Sequence, residues 1–310
     1  MLSDAAYGRH VEDLLTRCTF PLPGTPVSCA VSGGADSLAL LVLAAAADCE
    51  VTAIHVDHSL RVGSGEEASV VADAAGRFGA KFVAAKASVK PGPNLEARAR
   101  MARYSVLPAE VSTGHTMDDQ AETVLLNFLR GAGIDGLAGM RRGLRHPLLG
   151  IRRSETRSLC DSLGLFPVAD ASNDDPAYLR NRVRHELLPL CAALSERDVV
   201  PVIARQAGIL ADEADLLDQM ARGIDPTFVA EIVAAPLPLA RRAVRRWLRG
   251  DGPYPPGLAA IERVLGVASG QGVATEVAPG MRISRSRGRL SAKPVRGLVD
   301  VDDRGLPEDQ

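Results

Sequence analysis

Val27-Ser28-Cys29-Ala30-Val31-Ser32-Gly33-Gly34-Ala35-Asp36-Ser37-Leu38 is the stretch that decides the fold. Val27–Val31 reads as a short buried strand, and the Leu/Ala-rich run Ser37–Ala47 as a helix. Ser32-Gly33-Gly34-Ala35-Asp36-Ser37 joins them. Two glycines let the backbone turn tightly and bring N–H groups against phosphate oxygens. The helix N-terminus adds partial positive charge. Ser32 and Ser37 add hydroxyl donors. No lysine follows the glycines, so this is not a Gly-x4-Gly-Lys-Ser/Thr loop. Asp36 would repel phosphates unless it held Mg²⁺, so a metal role is the natural one. The plain alternative is a Gly-Gly turn with Asp36 and Ser37 as helix caps. The strand–loop–helix context favours the phosphate reading.

Outward from this loop the first half alternates strands with alanine-rich helices. Val51–Val56 and Lys81–Ala85 read as strands, Glu110–Thr113 as a short fourth one. Glu66–Phe78, a helix capped by Asn94 and running to Tyr104, and Asp118–Arg130 lie between or after them. Such alternation predicts an α/β fold, a doubly wound parallel sheet with helices on both faces and ligands beyond the carboxyl ends of the strands. After Gly150 the pattern changes. Ile151–Leu163 reads as a helix, Asp170–Pro176 as a loop, and Val199–Leu217 as mostly helical. Arg241–Arg249 reads as a basic amphipathic helix with Ala240, Val244, Trp247 and Leu248 on its other face, and Val273–Leu290 as a hairpin. The expected division is a catalytic domain over 1–200 and a smaller, mainly helical domain over 201–310.

The 310 residues are enough for two cores, and 46% apolar with 24% charged is ordinary globular composition. No apolar run reaches bilayer length, and the N-terminus lacks a basic n-region, so a cytoplasmic enzyme without membrane contact is expected. The five cysteines are widely spaced, with no Cys-x-x-Cys, which argues against a disulfide framework, a zinc site or a cysteine-held iron–sulfur cluster. Net charge is −2, yet nine arginines against five acids fall between Arg141 and Arg184. Arginine pairs with phosphate in a planar, bidentate way. On charge alone, solvated helix faces are the favoured explanation.

Thr113-Gly114-His115-Thr116-Met117-Asp118-Asp119-Gln120-Ala121-Glu122-Thr123 ends the fourth strand and opens a helix. Asp119 and Glu122 share a helix face and could together hold an ammonium or a metal. Capping accounts for part of this: Thr116 suits the N-cap and Asp119 then falls at the third helical position. It does not account for His115 at the strand end.

The loop resembles the PP-loop of N-type ATP pyrophosphatases, which split ATP to AMP and pyrophosphate. Further blocks follow in order: His55-Val56-Asp57-His58-Ser59-Leu60-Arg61, the His115–Thr123 segment, Arg130-Gly131-Ala132-Gly133 with Gly136–Met140, Pro147-Leu148-Leu149, Asp170-Ala171-Ser172-Asn173, and Arg180-Asn181-Arg182-Val183-Arg184-His185 with Pro189. From about residue 27 to 190 the chain resembles the tRNA(Ile)-lysidine synthetase family; the rest matches only in kind, as a linker helix and one small domain. The resemblance implies a ligase that adenylates O2 of cytidine 34 in the CAU-anticodon isoleucine tRNA and lets the lysine amine displace AMP. It implies ATP and Mg²⁺ as cofactors and this tRNA and free lysine as partners, and it allows a homodimer.

Carried over residue by residue, Ser32, Gly33, Gly34, Ala35, Asp36 and Ser37 hold the phosphates, with Asp36 on Mg²⁺. Backbone near Ala30 and Val56 contacts adenine, and His115 lies beside the phosphates. Asp119 and Glu122 lie near the lysine ammonium. Arg100 and Arg103 reach the nucleotide or the target base, and Arg180, Arg182 and Arg184 meet tRNA. Two departures from the family stand out. Ser105–Thr113 is short, which bears on Arg100 and Arg103, and Phe166–Asp170 lacks a tryptophan common before the aspartate. Among rivals, PP-loop thiolases use clustered cysteines, amide-forming synthetases lack the His115–Thr123 and Arg130–Met140 blocks, and a nucleotide-sensing protein needs no acidic pair.

Overall fold

The computed structural model describes residues 4–57, 64–87, 95–168, 175–249, 256–277 and 280–294. His58–Arg61, the cap Asn94 and Asp170–Asn173 lie outside the described residues. The chain divides into two compact units, Met1–Ala211 and Asp212–Gln310.

The first unit is built on four parallel strands, β1 (Pro26–Ala30), β2 (Glu50–Asp57), β3 (Lys81–Lys86) and β4 (Ser112–Thr113), in the order β3-β2-β1-β4. Helix α1 (Asp4–Arg17) precedes them, and α2 (Ala35–Ala46), α3 (Ser64–Arg77), α4 (Leu95–Val106), α5 (Met117–Leu129) and α6 (Ile134–Leu137) connect or follow them. Then come α7 (Arg153–Ser162), α8 (Leu179–Arg182), a π-helical turn at Val183–Leu187, α9 (Leu188–Ser195) and α10 (Val200–Ala221), within which the first unit ends.

Beyond Asp36 and Ser37 in its first turn, helix α2 is apolar on every side, as a core helix must be. Leu38, Leu40, Leu41 and Leu43 have no exposed surface. The helix packs on β1, β2, α1, α3 and α7. The fourth strand is shorter than Glu110–Thr113, because the Val111 N–H turns back to the Pro108 carbonyl at 3.1 Å. Only Ser112 and Thr113 pair, with Cys29 and Ala30. The chain leaves β1 for β2 on one side while β4 joins on the other. The carboxyl ends of β1 and β4 therefore mark a switch point in the sheet, where such folds bind ligands.

The second unit holds the end of α10, α11 (Val229–Ala234), α12 (Leu237–Arg249), α13 (Leu258–Ser269) and an antiparallel sheet β5 (Ala274–Val277), β6 (Met281–Ser286), β7 (Arg289–Pro294). Instead of a hairpin ending at Leu290, three strands form. Arg287 and Gly288, at φ +48° and +74°, make the tight turn that folds β7 onto β6. Two successive positive φ values are what a two-residue hairpin turn demands. Ile283, Leu290, Val244, Val264 and Ile232 form its core. On α12 the inner face includes one of the basic side chains: Arg242 is buried and ion-paired with Asp218. Among the described residues no helix is long and apolar enough to cross a membrane.

Candidate active site

The phosphate loop closes on itself. The Ser32 N–H donates to Ser37 Oγ at 3.1 Å, and Ser37 Oγ–H donates to the Gly34 carbonyl at 2.8 Å. Ser37 thus braces the loop, and the Ser32 hydroxyl lies 3.2 Å from it. Ala35 and Asp36 open α2, so their N–H groups have no intrahelical acceptor and can face an anion. Gly33 has φ +92°, a conformation that suits glycine. The loop after β4 rests against this backbone at Gly114. A Cβ there would lie 2.6 Å from the Asp36 carbonyl oxygen and 3.0 Å from the Ser37 nitrogen. Gly114→Ala must therefore push the phosphate loop aside. It is expected to weaken ATP binding roughly tenfold or more and lower the melting temperature, read by calorimetry with and without ATP.

The acidic segment at the start of α5 meets the N-terminus of α7. Asp118 accepts the Arg153 N–H at 2.9 Å and forks onto the Arg152 guanidinium at 3.0 Å through both oxygens. Asp118 thereby satisfies a first-turn donor of α7 and seats Arg153. The Arg153 guanidinium then bridges three carboxylates: Asp119 at 2.8 Å, Glu122 at 3.0 Å and Asp36 at 3.4 Å. Thr156, one turn further along α7, hydrogen-bonds Asp36. Asp119 also receives the Thr116 N–H and hydroxyl, both at 2.9 Å, on its other oxygen. The cap and the site thus share one carboxylate.

Glu122 has no exposed surface and is gripped by three arginines. Arg153 reaches it at 3.0 Å, Arg180 at 2.8 Å, and Arg184 with two bonds at 2.7 and 3.1 Å. Arg180 and Arg184 are four residues apart across α8 and the π-helical turn, so both point the same way. Their guanidiniums are turned inward onto Glu122 and Asp119. Arg182 is 55% exposed and pairs with Glu186 at 3.2 Å. Of Arg180, Arg182 and Arg184, all expected at tRNA with Arg103, only Arg182 faces outward.

His115 follows β4 and contacts the Thr113 hydroxyl at 2.7 Å. Ala30 ends β1, and Val56 lies near the end of β2; both are half-buried against Ile54, Leu107 and Val111. Arg103 is exposed on α4, and the Arg100 side chain lies outside the described residues. Arg153, Thr156 and Arg152 were not among the residues expected at the site. Arg153 and Thr156 sit at i, i+3 on the face of α7 that also carries the buried Cys160. Polar residues on a buried stripe were the available signal.

Charge and burial compete here. Burial pushes the Asp36 carboxyl above its ordinary range, only partly offset by the Thr156 hydroxyl and Arg153. Burial works the same way on Asp119 and Glu122. For Asp119 the charges of Arg153 and Arg180 overrule it, and for Glu122 the Arg184 hydrogen bonds and Arg153 do, so both lie below the usual carboxylate range. Burial opposes the charge on Arg153, but Asp119, Glu122 and Asp36 together raise its pKa. Burial pushes the Cys29 and Cys160 thiols up to about 12, which makes them unreactive.

No group of three or more His, Cys, Asp or Glu side chains gathers into a metal cage among the described residues. A single carboxylate beside a phosphate loop fits Mg²⁺, which takes the rest of its shell from phosphate oxygens and water. Asp36 meets that description.

A model of the PP-loop domain matches residues 8–191, and a model of the TilS substrate binding domain matches residues 229–291. A tRNA(Ile)-lysidine synthase of Salinispora tropica is 40% identical, with 93% of this chain and 96% of that protein covered. The chain belongs to the tRNA(Ile)-lysidine synthase family. It is therefore a tRNA-modifying enzyme of the ligase type. Other members of the tRNA(Ile)-lysidine synthase family show the same likeness. One from Nocardia farcinica is 38% identical over 88% of this chain and 93% of its own. One from Rhodococcus erythropolis is 41% identical over 74% of this chain and 76% of its own. Among solved structures, the U34-tRNA thiolase NcsA of Methanococcus maripaludis, with its [4Fe-4S] cluster, superposes with a TM-score of 0.50. It covers 67% of this chain and 79% of its own at 16% identity, a likeness of fold.

Proposed function

We propose that this enzyme uses ATP to adenylate O2 of cytidine 34 in the CAU-anticodon isoleucine tRNA and then joins lysine to C2, releasing AMP and pyrophosphate. The product, lysidine, pairs with A rather than G and switches the tRNA from methionine to isoleucine identity. The observation that carries this reading is Arg153, which links the phosphate-loop acid Asp36 to the pair Asp119 and Glu122. One guanidinium ties the place where ATP is split to the place where an amine would be held.

The loop N–H groups and the Ser32 hydroxyl bind phosphate oxygens, and backbone near Ala30 and Val56 receives adenine. Asp36 would hold Mg²⁺, which would supply neutralising charge to the pyrophosphate leaving group. His115 stands beside the phosphates. The target cytidine must be splayed from the anticodon stack to reach this site. Arg100 and Arg103, both on α4, would reach the nucleotide or such a base.

For lysine we assign an open groove of about 210 Å³. Its lining combines the charged Asp118, Glu122, Arg153 and Arg184 with the apolar Leu188, Val199 and Val200. That pairing of charge with apolar wall suits an aliphatic side chain ending in an ammonium. Asp119 and Glu122 are already matched by Arg153, Arg180 and Arg184, so an ammonium held there takes the place of an arginine. The first unit does the chemistry. The second, with Arg241, Arg245, Arg246 and Arg249 on α12, holds the tRNA.

Incubation with ATP, labelled lysine and CAU-anticodon tRNA tests the reading. Lysine transfer to RNA with equal release of AMP and pyrophosphate is expected. ATP turnover that needs sulfide or ammonia instead of lysine rules it out. For tRNA contact, Arg182→Ala is expected to weaken binding and reduce the log–log salt slope by about one unit. An unchanged slope removes Arg182 from the RNA surface and leaves the contact to other arginines, such as those of α12.

A further inference from the structure

At the end of β4 one hydroxyl serves three partners. Thr113 Oγ1 lies 2.7 Å from His115 Nδ1, 2.9 Å from His146 Nδ1 and 3.1 Å from the Arg145 carbonyl oxygen. The two imidazoles meet edge to face, with centroids 5.1 Å apart. Thr113 is buried, and both rings are half-buried. The Arg145 carbonyl also accepts the Thr113 N–H at 2.9 Å, so the hydroxyl is held from its own backbone.

A hydroxyl has one proton and two lone pairs, and a carbonyl only accepts. The bond to Arg145 therefore uses the single proton. The two remaining contacts are hydrogen bonds only if both Nδ1 atoms carry a proton and donate to Thr113. No other assignment satisfies all three contacts. Which ring nitrogen of a histidine is protonated is set by the bond the other one makes.

We propose that Thr113 and His146 are positioning residues for His115, holding its Nδ1 protonated so that every proton it exchanges enters and leaves at Nε2. This rests on the reading of His115 as an active-site residue. A neutral ring and a protonated ring both donate from Nδ1, so gain or loss of a proton at Nε2 leaves the Thr113 network unchanged. His146 fills the second lone pair of Thr113. It thereby stops the hydroxyl from turning its proton toward His115, which would force the opposite tautomer. His115 is also within electrostatic reach of Asp119, whose carboxylate it helps keep ionised. The lysine ammonium must shed protons to become a nucleophile, and phosphate oxygens must be met by donors. A ring that titrates at one fixed atom is prepared for either demand.

Long-range ¹H–¹⁵N spectra of the full-length, substrate-free protein test this directly, with His115→Asn and His146→Asn used for assignment. His115 is expected in the Nδ1–H form. Thr113→Val should move it toward Nε2–H, the form that imidazole prefers in water; His146→Ala should give a mixture, and Thr113→Ser should restore the wild-type pattern. In lysine transfer, Thr113→Val should lower kcat on the order of 10²-fold with the KM for ATP unchanged, and Thr113→Ser should rescue it. A wild-type His115 in the Nε2–H form overturns the proposal even if Thr113→Val fails to fold. So does a His115 tautomer that ignores both substitutions. The spectra need no substrate: the expected tautomers without any lysine transfer would sink the proposed reaction and leave the assignment of His115 standing.

Discussion

Asp36→Asn is expected to lower pyrophosphate release from ATP by about 10³-fold and to leave the protein at least as stable as wild type at pH 7. The two halves of this result have one cause. Burial holds the Asp36 carboxyl above its ordinary range. A carboxylate whose folded pKa is raised costs stability once the pH exceeds its unfolded value, since the folded state must ionise it in an unfavourable place. Asparagine removes that cost. It also keeps an oxygen for the Thr156 hydroxyl, and Arg153 retains Asp119 at 2.8 Å and Glu122 at 3.0 Å. A residue kept at the expense of stability suits a role in binding, and in the proposed reaction that role is to hold Mg²⁺ beside phosphate. Thermal unfolding at pH 7 and a pyrophosphate assay read both halves. A melting temperature several degrees below wild type would make Asp36 structural, and retained adenylation would remove it from the metal site.

The phosphate loop was legible because everything that makes it is local. A β-branched strand, two glycines and an apolar helix stand within Val27–Ala47, and each has a short-range signature. The acidic pair was legible for the same reason, as spacing on one helix. What holds the pair was not, because its partners come from α7, α8 and the π-helical turn, and sequence distance hides them. Arg153 is separated from Asp36 by 117 positions, and Arg180 from Glu122 by 58. An arginine in a charge-rich stretch reads as a solvated side chain unless a buried carboxylate waits for it. Arg180 and Arg184 sit in such a stretch, yet they face inward, whereas their neighbour Arg182 faces outward. The same ambiguity hid the buried Arg242 on α12. The third strand of the second unit was missed because its turn is Arg287-Gly288, where the usual signature is Asn-Gly or Asp-Gly.

Glu122→Gln is expected to behave in the opposite way to Asp36→Asn and to destabilise the protein by about 3 kcal/mol, roughly 6–12 °C in melting temperature. Glu122 is fully buried, and its charge is what three arginines converge on. Removing one partner of a buried ionic cluster typically costs about 3–5 kcal/mol, because the remaining charges stay without compensation. The guanidiniums are 16–32% exposed and recover some hydration, which places the cost at the lower end of that range. Glu122 and Asp119 both have depressed pKa values. Their contribution is therefore complete above the unfolded carboxylate values, about 4, and is lost as the pH falls through the folded ones. Wild-type protein should show a flat melting temperature near neutrality and an acid limb below about pH 4; in Glu122→Gln the neutral plateau drops and the acid limb shrinks. Kinetics then separate the two uses of this carboxylate. A rise in the lysine KM far larger than that for ATP means that Glu122 meets the ammonium itself. Equal rises mean that it acts by anchoring Arg153, Arg180 and Arg184 around the site. A variant as stable as wild type would show that the arginines hold one another through Asp119 and water, and that the buried charge of Glu122 is there for the substrate alone.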